Sequence, residues 1–461
     1  MIKIITKSLY FLFLSLFVNN LYSQDTKWKE LFKNDDLSEF IILNGNATFQ
    51  IENKILIGTS KLNTPNTFLA TKKNFSDFIL EFEVKIDDGL NSGVQFRSNS
   101  YKDYYNGRVH GYQCEIETSK RRWAGGIYDE ARRQWLYPLT RNPKSQNSFK
   151  NGKWNHFRIE AYGNNIKTFV NGIQTANLVD EMTSSGFIAF QIHSINDIKD
   201  NGKKVMWKNI KIIDTNVKKY ILPEDKSVDE ISYLENKLTE LEKENGFKLL
   251  WDGKSSKGWR GNLKKYFPKK GWNIKDGILT VEDSSGLESQ NGGDILTEKL
   301  YSNFELSLDF LISEGANSGI KYFVNEEINK SGGSAIGLEF QILDDSSHPD
   351  AKLGKNGNRT VGSLYDLIRA ENKTTGLRGK NFKGIGKWNN ARIISKNGKI
   401  EHWLNHVKVV EFDRYSQTFS ALVEKSKYEK WDNFGKWESG NILLQDHGDK
   451  VSFKNIKIRE F

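Results

Sequence analysis

The chain has 461 residues, a formal net charge of +10 at pH 7, 37% hydrophobic and 12% aromatic residues. That is too long for one ordinary domain and rich enough in apolar residues for two cores. Its single cysteine, Cys114, excludes an intramolecular disulfide. The lysines are scattered, with no basic helix and no nucleic-acid module, so nucleic acid is not an expected partner.

Residues 1–23 have the layout of a secretory signal peptide. Lys3 and Lys7 form a positive start, Leu9–Val18 is almost wholly apolar, and Leu21-Tyr22-Ser23 precedes Gln24. The apolar run is too short to span a bilayer comfortably, and no cysteine stands near it to carry a lipid. The expectation is cleavage after Ser23, a periplasmic or secreted protein, and no stable membrane insertion afterwards.

From there the pattern is β. Phe78–Ile86 and Phe304–Ile312 alternate apolar and polar residues, as half-buried strands do. Ile166–Val170 runs into Asn171-Gly172, a strong hairpin turn signal, and the matching turn later in the chain is Asn405-His406. Two further strands carry polar residues on one face. In Gly111–Glu117, Gln113, Glu115 and Glu117 alternate with Tyr112, Cys114 and Ile116. In Gly337–Asp345, Glu339 and Gln341 alternate with Leu338, Phe340 and Ile342. Polar side chains on an inner face are costly unless they line a cavity or are hydrogen-bonded.

These strands belong to a repeat. Asn91-Ser92-Gly93-Val94 returns as Asn317-Ser318-Gly319-Ile320, and Trp154-Asn155 returns as Trp388-Asn389. Gln191-Ile192-His193 returns as Gln445-Asp446-His447, and Trp207–Ile212 returns as Phe453–Ile458. The chain is a tandem duplication of a domain of roughly 200 residues, a size that suits one β-sandwich. The expected division is a signal peptide over 1–23, a first sandwich over 24–215, a linker over 216–245 and a second sandwich over 246–461. In the linker, Ser227 and Glu230 have capping-box spacing, and Ile231, Leu234, Leu238 and Leu241 form one apolar stripe before Asn245-Gly246. This predicts a helix near Ser227–Asn245, docked on the sandwiches or paired in a dimer.

Each copy carries a set of groups suited to moving protons beside a carbonyl. The first offers Arg97, Gln113, Glu115, Tyr128 and His193; the second offers Lys321, Glu339, Gln341, Asp344, Tyr365, Asp446 and His447. A base, an acid and a cation that stabilises an enolate would come from such a set. Composition and spacing favour an enzyme only slightly over a sugar-binding lectin. No HExxH, GxSxG, P-loop or CxxC is present, so those chemistries have no support.

Asn317-Ser318-Gly319-Ile320, Gly337–Asp345, Gly362-Ser363-Leu364-Tyr365-Asp366 and Gln445-Asp446-His447-Gly448, in this order, resemble the 3-keto-disaccharide hydrolase domain family. The first copy resembles the same family through Asn91–Arg97, Gly125–Glu130 and Trp154-Asn155. The resemblance implies an all-β chain of two tandem concanavalin A-like (jelly-roll) sandwiches. It also implies an enzyme that cleaves glycosides already oxidised to a ketone at sugar C3, with a carbohydrate as partner. On that reading His447 or Glu339 is the base, Tyr365 the acid, and Lys321 or a divalent metal acts on the ketone. Gln341, Asp344 and Asp446 bind substrate in the second copy, and Arg97, Glu115, Tyr128 and His193 in the first. The resemblance names no definite cofactor and leaves a divalent metal open. The rival reading is a non-catalytic glycan-binding sandwich protein. The second copy is the expected catalytic one, because Asp446 stands beside His447 where the first copy has Ile192.

Overall fold

A computed structural model describes residues 28–32, 36–330, 334–372 and 379–461. The proposed signal peptide lies outside the described residues. The rest forms two β-sandwiches in tandem, as the repeat predicts. Among the described residues the first pairs a nine-stranded with a seven-stranded sheet, and the second an eight-stranded with a five-stranded sheet.

Alternation builds each core. In Phe78–Ile86 the residues Phe78, Leu80, Phe82, Val84 and Ile86 are buried, while Glu81, Glu83 and Lys85 are half-buried on the other side. Phe304–Ile312 repeats this pattern in the second sandwich. Phe82 stacks on Phe157 at 5.3 Å between ring centroids. Trp207 and Trp251 are fully buried, one in each core. Each such side chain contributes about 1.5–3 kcal/mol on burial. That lets these domains stand without a disulfide.

The smaller sheet of each sandwich carries the polar face. In the first, Gly186–Ile192, Asn91–Asn99, His110–Glu117 and Ile127–Glu130 lie side by side; in the second, Asn441–Leu444, Asn317–Asn325 and Ile336–Leu343 do. Both carry a bulge at the same place. The register shifts after Phe96 in one and after Tyr322 in the other, with Arg97 at φ 45° and Phe323 at φ 51°. A bulge breaks the alternation of side chains, which bears on Arg97 below.

The linker differs from the sequence expectation. Its helix covers only Glu240–Glu244, and the capping box is Thr239 with Glu242 rather than Ser227 with Glu230. Upstream the chain is extended. Ile231-Ser232 pairs in parallel with Leu178-Val179, and Val228 and Ile231 are buried in the first core. An isolated short helix is marginal, so burying these two side chains against a preformed sheet wins. Downstream, the Asn236 amide N–H donates to Asn455 Oδ1 at 2.7 Å, which ties the linker to the second sandwich. The hairpin turn residue His406 completes the junction. Its Nε2 lies 3.0 Å from the Tyr233 hydroxyl, and its carbonyl accepts from Thr140 Oγ1 at 2.8 Å.

Candidate active site

On the second polar sheet Gly319 stands opposite Gln341, and Lys321 opposite Glu339. Directly opposed residues share a face at a Cβ separation of about 5 Å. The neighbouring strand Asn441–Leu444 runs on into Gln445-Asp446-His447, and the Gln445 N–H donates to the Gly319 carbonyl at 3.0 Å. Together they floor a cavity of about 320 Å³ lined by Lys321, Glu339, Gln341, Tyr365, Gln445 and His447. That is the size of a small-molecule site.

Glu339 is its centre. The side chain is 5% exposed, and no hydrogen bond to its carboxylate is made among the described residues. Burial pushes its carboxyl up from the ordinary value, against the pull of Lys321, Lys427 and His447. It lies over Gly319, where an added Cβ would sit 2.2 Å from Glu339 Oε1. The glycine of Asn-Ser-Gly-Ile is therefore there to make room for the carboxylate. Three more polar atoms of this cavity's lining residues are buried without a partner: Gln341 Oε1, Gln445 Oε1 and His447 Nδ1. Each unsatisfied group costs about 1–3 kcal/mol, and their gathering in one cavity marks a place built for a polar ligand.

The cations are held differently. The Lys321 ammonium donates to the Ala335 carbonyl at 3.1 Å and to Ser334 Oγ. Ser334 Oγ in turn donates to Asp294 Oδ2 at 2.8 Å. The Lys427 ammonium sits 4.1 Å from the centre of the Tyr365 ring, and burial lowers its pKa against the pull of Glu339. The Tyr365 hydroxyl donates to Asp350 Oδ2 at 2.7 Å, and burial followed by that bond raises its pKa well above the ordinary value. His447 Nε2 is 3.8 Å from Glu288 Oε2.

Not every expected residue is here. Asp446 is fully buried, and its carboxylate accepts from the N–H groups of Gly292, Gly293 and Gly448. It holds loops rather than the imidazole; the carboxylate nearest His447 is Glu288. Asp344 likewise accepts from the N–H groups of Gly315, Ser346 and Ser347. Neither lines the cavity. The sequence reading also missed Lys427, Tyr428 and Trp431, which line it from the segment after the helix Gln417–Glu424. The first copy has no such segment, since Val179 is followed almost at once by the strand from Gly186. Comparing the two spacings would have exposed the insertion.

Among the described residues His348, His447 and Asp449 hold their ligand atoms within 4.8 Å of one another. The Asp350 backbone N–H donates to His348 Nδ1 at 3.1 Å, so this nitrogen's lone pair is used and Nε2 of the neutral ring carries the proton. Burial lowers the His348 pKa, which favours that neutral ring. Asp449 Oδ2 accepts from the Asn317 N–H at 2.9 Å. The triad does not offer three free lone pairs and does not fit a resident metal.

The first sandwich keeps the cavity and changes its contents. Gly93 stands opposite Glu115 and Gln95 opposite Gln113, so Gln95 and Gln113 occupy the positions of Lys321 and Glu339. Phe68, opposite Gln191, occupies the position next to Gln445 where Asp294 precedes the strand Ile295–Thr297. Glu115, Tyr128 and His193 line a cavity of about 940 Å³. Arg97 does not. It is 1% exposed and donates to the Ser76 and Gly163 carbonyls at 2.8 Å each, and to Asp77 Oδ1 at 3.2 Å. The bulge turns it off the cavity face, and its place among substrate-binding residues is corrected to a structural tie.

A curated 3-keto-disaccharide hydrolase of Bacteroides thetaiotaomicron is 36% identical over 235 residues, 47% of this chain and 78% of that protein. Two solved structures of putative glycosyl hydrolases from Parabacteroides distasonis are similar. One is 31% identical at a TM-score of 0.42, covering 49% of this chain and 99% of that one. The other is 27% identical at a TM-score of 0.35, covering 47% of this chain and 99% of that one. The family model described as the 3-keto-alpha-glucoside-1,2-lyase-like domain matches residues 27–213 and again 246–459. The chain therefore belongs to the family of that domain and carries two copies of it.

Proposed function

We propose that this is an exported hydrolase of 3-keto-glycosides whose second sandwich does the chemistry by elimination and rehydration. The carrying observation is Glu339, a buried carboxylate without a hydrogen bond, raised in pKa and set beside two lysines. Glu339 takes the proton from sugar C2, which the C3 ketone acidifies, and the C–H electron pair becomes an enolate. The ammonium groups of Lys321 and Lys427 balance the negative charge on that oxygen. The enolate then collapses to the ketone with a C1–C2 double bond, and the C1–O bond breaks. The departing oxygen takes a proton, water adds at C1, and C2 regains a proton, so the sum is hydrolysis. Unlike an ordinary glycosidase, this route needs no pair of carboxylates flanking the bond.

Lys427 suits the proton donor better than Tyr365. The tyrosine proton is engaged with Asp350 and its pKa is raised, whereas burial makes the lysine ammonium a stronger acid. His447, with an unpartnered Nδ1, hydrogen-bonds a sugar hydroxyl or the leaving oxygen. Export is supported by the signal-like pattern of residues 1–23. The test is cleavage of a 3-keto-glucoside with a nitrophenol leaving group in D₂O. Elimination leaves solvent deuterium at C2 of the released sugar, beyond a control of free 3-keto-glucose with the protein. A product that keeps its original C2 hydrogen refutes the route.

A further inference from the structure

We infer that the cavity of the first sandwich is a binding site, without turnover, for a neutral oligosaccharide whose ring alcohols are unoxidised. Register shows why it lacks the proposed chemistry: Gln113 stands where the second sandwich has Glu339, and Gln95 where it has Lys321. Gln95 Nε2 donates to Gln113 Oε1 at 2.7 Å, so the ion-bearing pair has become a neutral amide pair. Glu115, which stands where the second sandwich has Gln341, is a carboxylate, but its oxygens accept from Asn91, Gln113 and Arg121, so no free base for C2 and no cation for a ketone remains on that sheet face.

The wall that replaces them is built for hydroxyl groups. Its charges are paired with one another. Arg108 lies 3.5 Å from Glu130, and Arg121 lies 3.3 Å from Glu115 and 2.7 Å from Glu117. Arg121 also lies over the rings of Trp123 and Trp135, at 4.8 and 4.6 Å. With the cations so committed, an anionic ligand gains little, and a neutral one loses nothing. His193 adds a fixed acceptor. Its Nδ1 donates to the Ser194 carbonyl at 2.7 Å, and burial keeps the ring neutral, so the lone pair is on Nε2. The Asn91 amide donates to Glu115 Oε1 at 2.6 Å and presents its remaining polar atoms beside it. On the same sheet face, Gln191 stands opposite both Gly93 and Phe68, and both of its amide atoms are buried without a partner.

Shape agrees with a chain of sugars rather than one ring. The cavity, about 940 Å³ against about 320 Å³ in the second sandwich, lacks the covering segment that brings Lys427 and Trp431. Aromatic side chains stand at its wall and rim: Tyr128, backed by the buried Trp135 at 5.2 Å, and Tyr105, which is 73% exposed. Such rings bury the apolar face of a sugar while amides and carboxylates take its hydroxyls.

The test uses the full chain carrying Glu339→Gln, titrated with cellotetraose, maltotetraose and laminaritetraose, none of them oxidised. Tryptophan fluorescence and saturation-transfer NMR report binding. At least one tetrasaccharide should bind saturably and be recovered intact. Gln113→Ala and Tyr105→Ala should each weaken it by about tenfold or more, the loss of roughly one good contact. Tyr105 is exposed, so its variant cannot fail by misfolding. No binding of any of the three, or binding unmoved by Tyr105→Ala and lost on Lys427→Ala, overturns the inference. If the variant binds a tetrasaccharide but the parent chain, with Glu339 in place, leaves 3-keto-glycosides uncut, the proposed hydrolysis falls and this site stands.

Discussion

The two sandwiches share strand order, a bulge and a glycine under the central polar residue, yet their cavities are chemically opposite. In the second, Lys321, Glu339 and Asp294 put charge at the floor, and burial raises both carboxyls. In the first, Gln95, Gln113 and Phe68 are neutral, and the carboxylate Glu115, which stands where the second has Gln341, is tied up by Asn91, Gln113 and Arg121. The difference teaches how a duplicated fold divides its work. The sheet fixes where six or so side chains point, and exchanging an ion for its amide turns a reactive floor into a recognising one. Proton transfer needs a free carboxylate of raised pKa, whereas recognition needs only satisfied donors and acceptors.

The comparison breaks most visibly at the histidines. His447→Ala should lower kcat on a 3-keto-glycoside by about 10²-fold, the loss of one hydrogen bond to developing charge, while His193→Ala should leave kcat within about threefold of the parent on that scale. Equal losses would erase the distinction between the copies. Next comes Arg97, which the account treats as a tie in the first sandwich. Arg97→Ala removes three donated hydrogen bonds from a buried guanidinium and should cost about 3 kcal/mol of unfolding free energy, read by urea denaturation. Tetrasaccharide affinity of the folded fraction should not change.

A smaller effect sits at Gly319. Gly319→Ala puts a methyl 2.2 Å from Glu339 Oε1, so the carboxylate must move, and kcat should fall about tenfold while Tm barely shifts. The smallest is a pH effect on stability at Glu115. Burial and then Glu117 raise its carboxyl to about 7. A folded pKa above the unfolded one gives stability that is full below the unfolded value of about 4.5 and is lost as pH rises through about 7. Glu115→Gln should therefore flatten the fall in Tm between those pH values by about 2–4 °C. A slope unchanged by the substitution would show that Glu115 titrates normally.

Much of this was legible in the sequence, and the misses have physical causes. The repeat pointed to the sandwiches, and the alternation of Gly337–Asp345 put Glu339 and Gln341 on one face, because strand periodicity fixes a face; Tyr365 and His447 entered through matched positions in the two copies and the family motifs. Arg97 entered through the Asn91–Arg97 motif as a substrate-binding residue, and it failed there because a bulge at φ 45° turns it off the cavity face. Asp446 beside His447 suggested a carboxylate orienting an imidazole, but neighbours along a strand end point to opposite sides, and Asp446 turns inward to three N–H groups. The linker carried a capping-box spacing and an apolar stripe, yet tertiary burial of Val228 and Ile231 overrode them. Lys427 was invisible because it lies in an insertion with no strand pattern and no counterpart in the first copy.

The central claim is that bond cleavage belongs to the second sandwich alone and depends on Glu339. The most direct measurement is kcat of full-length Glu339→Gln on a 3-keto-glucoside, with folding verified by the unchanged unfolding transition. The substitution keeps the shape and removes the base, so activity should fall at least about 10²-fold. Retention of about half the parent activity, as expected for two independent catalytic copies each doing an equal share, would contradict the account.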